Sequence, residues 1–350
     1  VGDDRSHRTM RWPLHKRVPG RLLCAGWAKA GAGKARRLSP AFMCRDTFIF
    51  QFIAPPRRCF DREWFFRYED VQDKKAAGFF MSKTYSIFGL SIRSEIDLPA
   101  PEARVLQQPS EPDVVIEYGE VPPQLARPQK KTAWYEAAPG EFLLRAESIA
   151  RYYVQGGGRI VITAGPGVEK EKILIFLMGS AMGALLHQRN VLVLHAGAVT
   201  KNNSSAIFLG PSGAGKSTLA AAFHQRGLAF LADDVCAIGF DDGFPAVIPG
   251  FPRLKLWEDA LEKLGKDKDG LKKVVWIKNL EKYFMPVVHE DDRPVRLKNV
   301  FSLEAADTEH IEISLLRGGA KLDPLMANTY RPGFLDGLGG KREYFRQCAR

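Results

Sequence analysis

The sequence lacks long apolar runs and is poor in cysteine. Its five cysteines, Cys24, Cys44, Cys59, Cys236 and Cys348, form no C-x-x-C pair, and its seven histidines are scattered. This leaves neither a zinc-ligand spacing nor a disulfide framework. Such usage fits free thiols in a reducing compartment, and a cytoplasmic location is the expectation. The longest apolar run, Ile173 to Leu186, is about 14 residues and carries Gly179, Ser180 and Gly183. That is shorter than a membrane span requires and reads as a buried helix. The first 20 residues have charge but no apolar h-region, so no signal peptide is expected.

A surplus of acid is also absent: the net charge is +11. A basic balance invites a nucleic-acid or membrane-surface reading, but its distribution argues against one. Residues 1–80 hold 17 Lys and Arg against 8 Asp and Glu, whereas residues 81–350 hold 34 against 32. No nucleic-acid partner and no membrane partner are therefore expected. Residues 1–80 also hold three of the six tryptophans and three of the five cysteines, and they show no sustained period. Gly31-Ala32-Gly33-Lys34 imitates half of a phosphate loop but has Ala28 and Ala35 at the flanking key positions. Composition changes at Met81. The expectation is that residues 1–80 are a basic extension, disordered or read through a misplaced start. A native peptide from before Met81, seen by mass spectrometry, would exclude the misplaced start.

Two further regions follow. Residues 81–165 read as β-rich, with strands at Tyr85–Ile92, Asp113–Tyr118, Ala133–Ala137, Glu141–Ala146 and Arg159–Ile162 separated by Pro and Gly. Residues 166–350 read as an α/β domain. A helix is expected over Glu169–Gln188 and a strand over Val191–Val199. A hairpin turn at Lys201–Ser204 leads into the strand Ser205–Leu209. Late helices are expected at Gly319–Thr329 and Leu335–Ala349. Lys266–Lys278 is a charged connection.

The chain is organised around Gly210-Pro211-Ser212-Gly213-Ala214-Gly215-Lys216-Ser217-Thr218, which fits the phosphate-binding P-loop pattern G-x-x-x-x-G-K-[ST]. An apolar strand precedes it and a run of helix formers ending at Gly227 follows. The glycines allow backbone N–H groups to turn inward on a phosphate, and the helix N-terminus adds positive potential. Lys216 is the candidate for the β- and γ-phosphates, and the Ser217 hydroxyl is a candidate Mg²⁺ ligand. About 17 residues later, Leu228–Ala232 reads as a strand ending in Asp233-Asp234. Acids at a strand's C-terminal end face the ligand crevice of an α/β sheet. They are candidates for Mg²⁺ support and for taking a proton from an attacking hydroxyl. The competing reading is a solvated acidic strand end. His195, in the strand before the hairpin, is by itself more often a satisfied core residue than a functional one.

The residues from His195 to Asp234 resemble the C-terminal domain of the HPr kinase/phosphorylase family. They are most similar to its shorter bacterial members, some of which phosphorylate ribosomal peptides such as lasso-peptide precursors. Leu194-His195-Ala196, Gly210–Thr218, Leu231-Ala232-Asp233-Asp234 and Pro252-Arg253-Leu254-Lys255-Leu256-Trp257 carry the likeness. It implies a P-loop kinase core of the HPr-kinase type, preceded here by the β-rich region. ATP and Mg²⁺ would be the cofactors, and a serine on a protein or peptide the acceptor. Homo-oligomers occur in the family.

On the residues, the resemblance makes one acid the base, with Asp233 favoured, and the other, Asp234, a Mg²⁺ support beside Ser217. It sets His195 near the reacting phosphate. Glu281 of Asn279-Leu280-Glu281-Lys282-Tyr283 would be a second Mg²⁺ ligand. Tyr283 stands where the family signature has Arg, with Lys282 beside it, and the two cations are not equivalent near phosphate. A regulatory ATPase without a phosphoacceptor and a small-molecule kinase are the alternatives.

Overall fold

The computed structural model describes residues 47–54, 82–101, 104–106, 111–274, 281–287, 291–305 and 310–350. The Met81 composition break, the Gly31–Lys34 imitation and Asn279-Leu280 lie outside them. The described chain is mixed α/β, 25% helix and 39% strand.

The β-rich region folds as one sheet of eight strands. Their order is Lys83–Ile87, Leu90–Ser94, Val114–Tyr118, Arg159–Ala164, Ala150–Gln155, Glu141–Ala146, Tyr135–Ala138 and Lys130–Lys131. Tyr85–Ile92 is not the single strand expected. It turns back on itself at Phe88-Gly89, where both residues have positive φ, 57° and 67°. Left-handed values at both turn positions make a two-residue hairpin. Ala150–Gln155, absent from the strands expected, alternates buried and half-buried residues along its length, as a strand covered on one face does.

A single buried helix joins this sheet to the rest. It runs from Lys170–Phe176 through a π-helical turn at Leu177–Ala181 into Met182–Gln188. Its apolar residues belong to one core that includes Tyr152 and Phe142 from the β-rich sheet and Val193, Phe251 and Tyr330 from beyond the helix. The glycines in this helix have a tertiary reason. A Cβ at Gly183 would meet the Tyr330 ring at 2.4 Å, and one at Gly179 would meet its hydroxyl at 3.3 Å.

The second sheet is mixed. A path of seven strands runs Leu192–Leu194, Cys236–Asp241, Phe244–Ile248, Val295–Ala305, Ser204–Leu209, Gly197–Lys201 and Ala229–Ala232. Phe48–Ala54 pairs parallel to Val295–Ala305 and antiparallel to Glu312–Leu315. That stretch of the basic extension is therefore part of the sheet, with Ile49 buried and Phe50 stacked on Phe301. Alternation splits the sheet's two faces. Phe208 and Phe230 join a core with Ala220, Ala221, Leu254 and Leu256, under the helix Lys216–Gln225. Ile207, Leu209 and Leu231 join a core with Leu325, Leu335, Tyr344 and Cys348 of the C-terminal helices. Those helices are shorter than expected: Leu335–Ala349 is broken into Pro332–Leu338 and Lys341–Ala349. The break falls at Gly339 and Gly340, whose φ values of 81° and 83° are left-handed and end a helix.

A small third sheet, Arg253–Trp257 with Lys282–Pro286 and Lys272–Lys273, packs Leu254 and Leu256 against the Lys216–Gln225 helix side. Among the described residues no helix is long and apolar enough to cross a membrane.

Candidate active site

The strand order brings the three candidate segments to one place. Gly197–Lys201 is antiparallel to Ser204–Leu209 on one side and to Ala229–Ala232 on the other. The two outer strands therefore run the same way and end at the same edge, where the middle strand begins. The loop from Gly210, the pair Asp233-Asp234 and the residues His195-Ala196 all lie at that edge. The hairpin between the first two strands turns at Asn202-Asn203, with φ 51° and 55°. Asn tolerates this conformation better than most residues.

His195 does not sit inside a strand, as expected, but between two. Leu192–Leu194 pairs with Cys236–Asp241, whereas Gly197–Lys201 pairs elsewhere in the sheet. The chain changes neighbours at His195, which turns the ring out of the pleat toward Asp234. Its backbone N–H is held by the carbonyl of Asn328 at 2.8 Å.

The loop has the geometry its glycines require. Gly210, Gly213 and Gly215 have φ of 141°, 84° and 97°, values that L side chains rarely adopt. A Cβ at Gly210 would also meet the Leu303 carbonyl oxygen at 2.7 Å. Pro211, Ser212 and Gly213 are exposed at the loop's tip, with Ala214 half-buried behind them. The helix starts at Lys216 without a side-chain cap, so its first N–H groups remain available to an anion. Gly210→Ala is expected to destabilise the fold by about 2–3 kcal/mol and to weaken nucleotide binding at least about tenfold. Thermal melting and fluorescent-nucleotide titration check both effects.

Lys216 is buried, and its ammonium donates to the carbonyls of Gly210 and Pro211 at 2.8 and 3.0 Å. Burial lowers its pKa, opposed by the charges of Asp234 and Asp233. Ser217 Oγ donates to Asp233 Oδ1 at 2.8 Å, and the other Asp233 oxygen accepts the backbone N–H of Lys255 at 3.0 Å. Thr218, the next residue, is half-buried on the helix. Asp234, at φ 65°, takes a different direction: its Oδ2 accepts from Lys255 Nζ at 2.7 Å. His195 Nδ1 is 3.2 Å from the Asp234 carbonyl oxygen and 3.9 Å from its carboxylate. A carbonyl can only accept, so Nδ1 carries the proton. Burial and the Lys216 charge lower the His195 pKa, which keeps the ring neutral.

The two acids are driven apart electrostatically. Burial and the adjacent Asp234 charge push Asp233 up to about 6. Burial acts on Asp234 as well, but the Lys255 and Lys282 charges outweigh it and hold that carboxyl below the usual range. Asp234 in turn outweighs the effect of burial on Lys255 and raises its pKa. A carboxyl whose pKa is raised on folding opposes folding at high pH: no penalty exists below pH 4, and the full penalty is present above pH 6. Asp233→Asn is expected to stabilise the protein near pH 7 by on the order of 1–3 kcal/mol. That gain should vanish by pH 4, and melting temperatures across this range would test it.

Glu281 is not brought to the cluster. It lies on the Tyr283 side of its strand, bonded to Lys273 Nζ at 2.6 Å and to the Tyr283 hydroxyl at 3.1 Å. Lys282, one residue on, is on the opposite side over the Trp257 ring, and its charge acts on Asp234. Alternation along the strand separates them. Among the described residues, no group of three His, Cys, Asp or Glu side chains is placed to hold a metal.

No protein-family model and no curated protein matches the chain. The chemistry therefore rests on this cluster. Three residues without an expected role complete it. Lys255 bridges the two acids through its backbone and its ammonium. Asn328 holds the loop through Oδ1, which accepts from Gly210 N at 2.9 Å, and holds His195 through its carbonyl. Buried Tyr330 stands 6.3 Å from the His195 ring. The alternation of Arg253 and Lys255 with Leu254 and Leu256 is a sequence signal that both cations share one face. Asn328 and Tyr330, over a hundred residues from the loop, have no such signal.

Proposed function

We propose that the protein is an ATP-dependent, Mg²⁺-assisted kinase that phosphorylates a serine on a protein or peptide. The observation that carries this reading is the hydrogen bond between Ser217 and Asp233 beside a second, differently paired carboxylate, Asp234. The residues fit the cofactors. The left-handed glycines and the uncapped helix start would hold the phosphates with Lys216, and Ser217 with Asp233 would hold Mg²⁺. ATP supplies the phosphoryl group, and Mg²⁺ neutralises charge that develops on it.

The Ser217 bond supports the reverse of the roles expected from sequence: Asp233 belongs with the metal and Asp234 with the acceptor. Asp234 orients the acceptor hydroxyl and takes its proton as the serine oxygen bonds to phosphorus. The bond from phosphorus to the bridging oxygen breaks, and its electron pair leaves on ADP. Neutral His195 fixes the Asp234 backbone, and Lys255 fixes its carboxylate. With Glu281 turned away, Ser217 and Asp233 are the described residues that would hold the metal.

The test is phosphate transfer from γ-labelled ATP to proteins and peptides of a cell lysate. Label on serine, lost in Lys216→Ala and Asp234→Asn, supports the kinase. Free phosphate alone would favour a regulatory ATPase and defeat the proposal.

A further inference from the structure

A small, shallow concavity opens directly beside Asp233 and Asp234. Its apolar lining is Phe88, Met178, Phe251 and Phe284, each buried to within 9% exposure, so that only ring and thioether edges face the opening. Phe88 comes from the first hairpin of the β-rich region. That hairpin is locked in place by the bond from Phe88 N to the Pro249 carbonyl, 3.0 Å, and by edge-to-face contact with Phe251 at 5.6 Å. Gly250 is required for this seating, since a Cβ there would meet the Phe88 ring at 2.8 Å. The β-rich region thus builds a wall of the pocket that adjoins the carboxylates.

Two cations, Lys255 and Arg253, also line the pocket; Lys255 is paired with Asp234, which leaves Arg253. It shares a strand face with Lys255, two residues along, which follows from their alternation with buried Leu254 and Leu256. Its guanidinium lies flat over the Phe284 ring, 3.7 Å from the centroid, and one N–H points at Met178 Sδ, 3.8 Å away. Among the described residues no carboxylate oxygen lies within ion-pairing distance of it. A stacked guanidinium has a fixed plane, and its remaining N–H donors match a carboxylate in bidentate geometry. Glu171 acts on Arg253 only from beyond ion-pairing distance. A half-buried arginine, oriented by a ring and without an ion-paired carboxylate among the described residues, is arranged for an anion that arrives with a ligand. On the proposed reading the phosphate groups have their own cradle at the loop and helix start, none of whose residues lines this pocket. The anion at Arg253 is thus left to the acceptor.

We propose that Arg253 and the Phe88–Met178–Phe251 wall form the acceptor subsite, and that the acceptor is a peptide segment whose serine is accompanied by an apolar residue and an acidic one. The subsite rests on the kinase reading for its role, but its binding preference does not. Arg253 selects the acidic residue, the aromatic and Met wall selects the apolar one, and Asp234 receives the hydroxyl. The two elements act separately. Removing the guanidinium abolishes the acidic preference and keeps the apolar one, whereas removing the Phe88 ring does the opposite.

The experiment uses the full chain with a positional-scanning library of nonapeptides that have a central serine. It is read twice: as label incorporated from γ-labelled ATP, and as peptide retained by immobilised protein in Mg²⁺ and a non-hydrolysable ATP analogue. Wild type is expected to favour Asp or Glu over Asn or Gln at one position by about tenfold or more, with Leu, Ile, Met or Phe favoured at a nearby one. Arg253→Met and Arg253→Gln should bring the acidic preference to within twofold of neutral, and Arg253→Lys should retain part of it. Nucleotide affinity and melting temperature should stay near wild type in at least one of the three variants. Phe88→Leu should weaken the apolar preference alone. No acidic selection in wild type, selection for Lys or Arg, or an acidic preference that survives Arg253→Met would overturn the proposal. So would a loss of nucleotide affinity in all three Arg253 variants equal to the loss of peptide, which would assign Arg253 to the nucleotide. If the retention assay gives the acidic preference while no label is incorporated, the subsite stands and the kinase reading falls.

Discussion

Lys216→Ala is expected to lower kcat for phosphoryl transfer by about a thousandfold or more and to leave the fold standing. The ammonium lies in the bowl of the loop and, among the described residues, is bonded to the carbonyls of Gly210 and Pro211. Among the described residues no carboxylate pairs with it within 4 Å, so it closes no ion pair whose loss would weaken the core. Burial lowers its pKa, which means that folding works against this charge. A cation kept at such a cost, at the start of a helix and ringed by left-handed glycines, fits the proposed role of meeting phosphate charge. Removing one fixed donor from a developing oxyanion costs about 10²–10³ in rate, and a full positive charge in a water-poor site counts for more. The melting temperature should stay the same or rise. Transfer within tenfold of wild type would remove Lys216 from the reaction.

The second large effect is expected at Asp234. Asp234→Asn should reduce kcat by about 10²–10⁴-fold, with nucleotide affinity within about threefold. Asparagine is among the few residues that accept φ 65°, so the backbone is kept, and the amide oxygen can still accept from Lys255. The substitution removes charge and basicity with little else. Asp234 is held strongly acidic by the Lys255 and Lys282 charges, so in the proposed reaction it would stay ionised and orient the hydroxyl more than drive its deprotonation. That suits a loose transition state in which positioning dominates.

Asp233→Asn has a different signature: a raised Mg²⁺ requirement, and loss of any acid limb near pH 6, where this carboxyl titrates. Mg²⁺ titrations of kcat for the two variants separate the roles. If Asp234→Asn transfers normally while Asp233→Asn is inactive with unchanged Mg²⁺ dependence, the base returns to Asp233.

The loop, its flanking strand and helix, the Asp233-Asp234 strand end and the hairpin into the loop are legible in the sequence because each is fixed locally. Positive φ at Gly210, Gly213 and Gly215, a break at Gly227 and an apolar run before the loop need no distant partner. Less was legible where two readings of one period compete. Phe88-Gly89 hides a hairpin inside an apolar run, and the break in the last helix lies in a Gly-Gly pair between two helical patterns.

What only the tertiary structure decided is which side chains meet. Asp233 and Asp234 are adjacent, and nothing in their order says that the first would face Ser217 and the second Lys255; the left-handed backbone at Asp234 and the arrival of the Arg253–Trp257 strand decide that. Glu281 faces Lys273 and Tyr283 because register gives Lys282 the site side of the strand. Asn328 and Tyr330 reach the loop and His195 from over a hundred residues away, across a sheet whose strand order is not written in any local pattern. A glycine loop between strand and helix, with two acids at the next strand end, follows from the chain order alone, because backbone freedom and alternation are local properties. Assigning the metal side, the acceptor side and the Arg253 pocket required long-range packing, because a carboxylate's role depends on its partner and its partner is chosen by the fold.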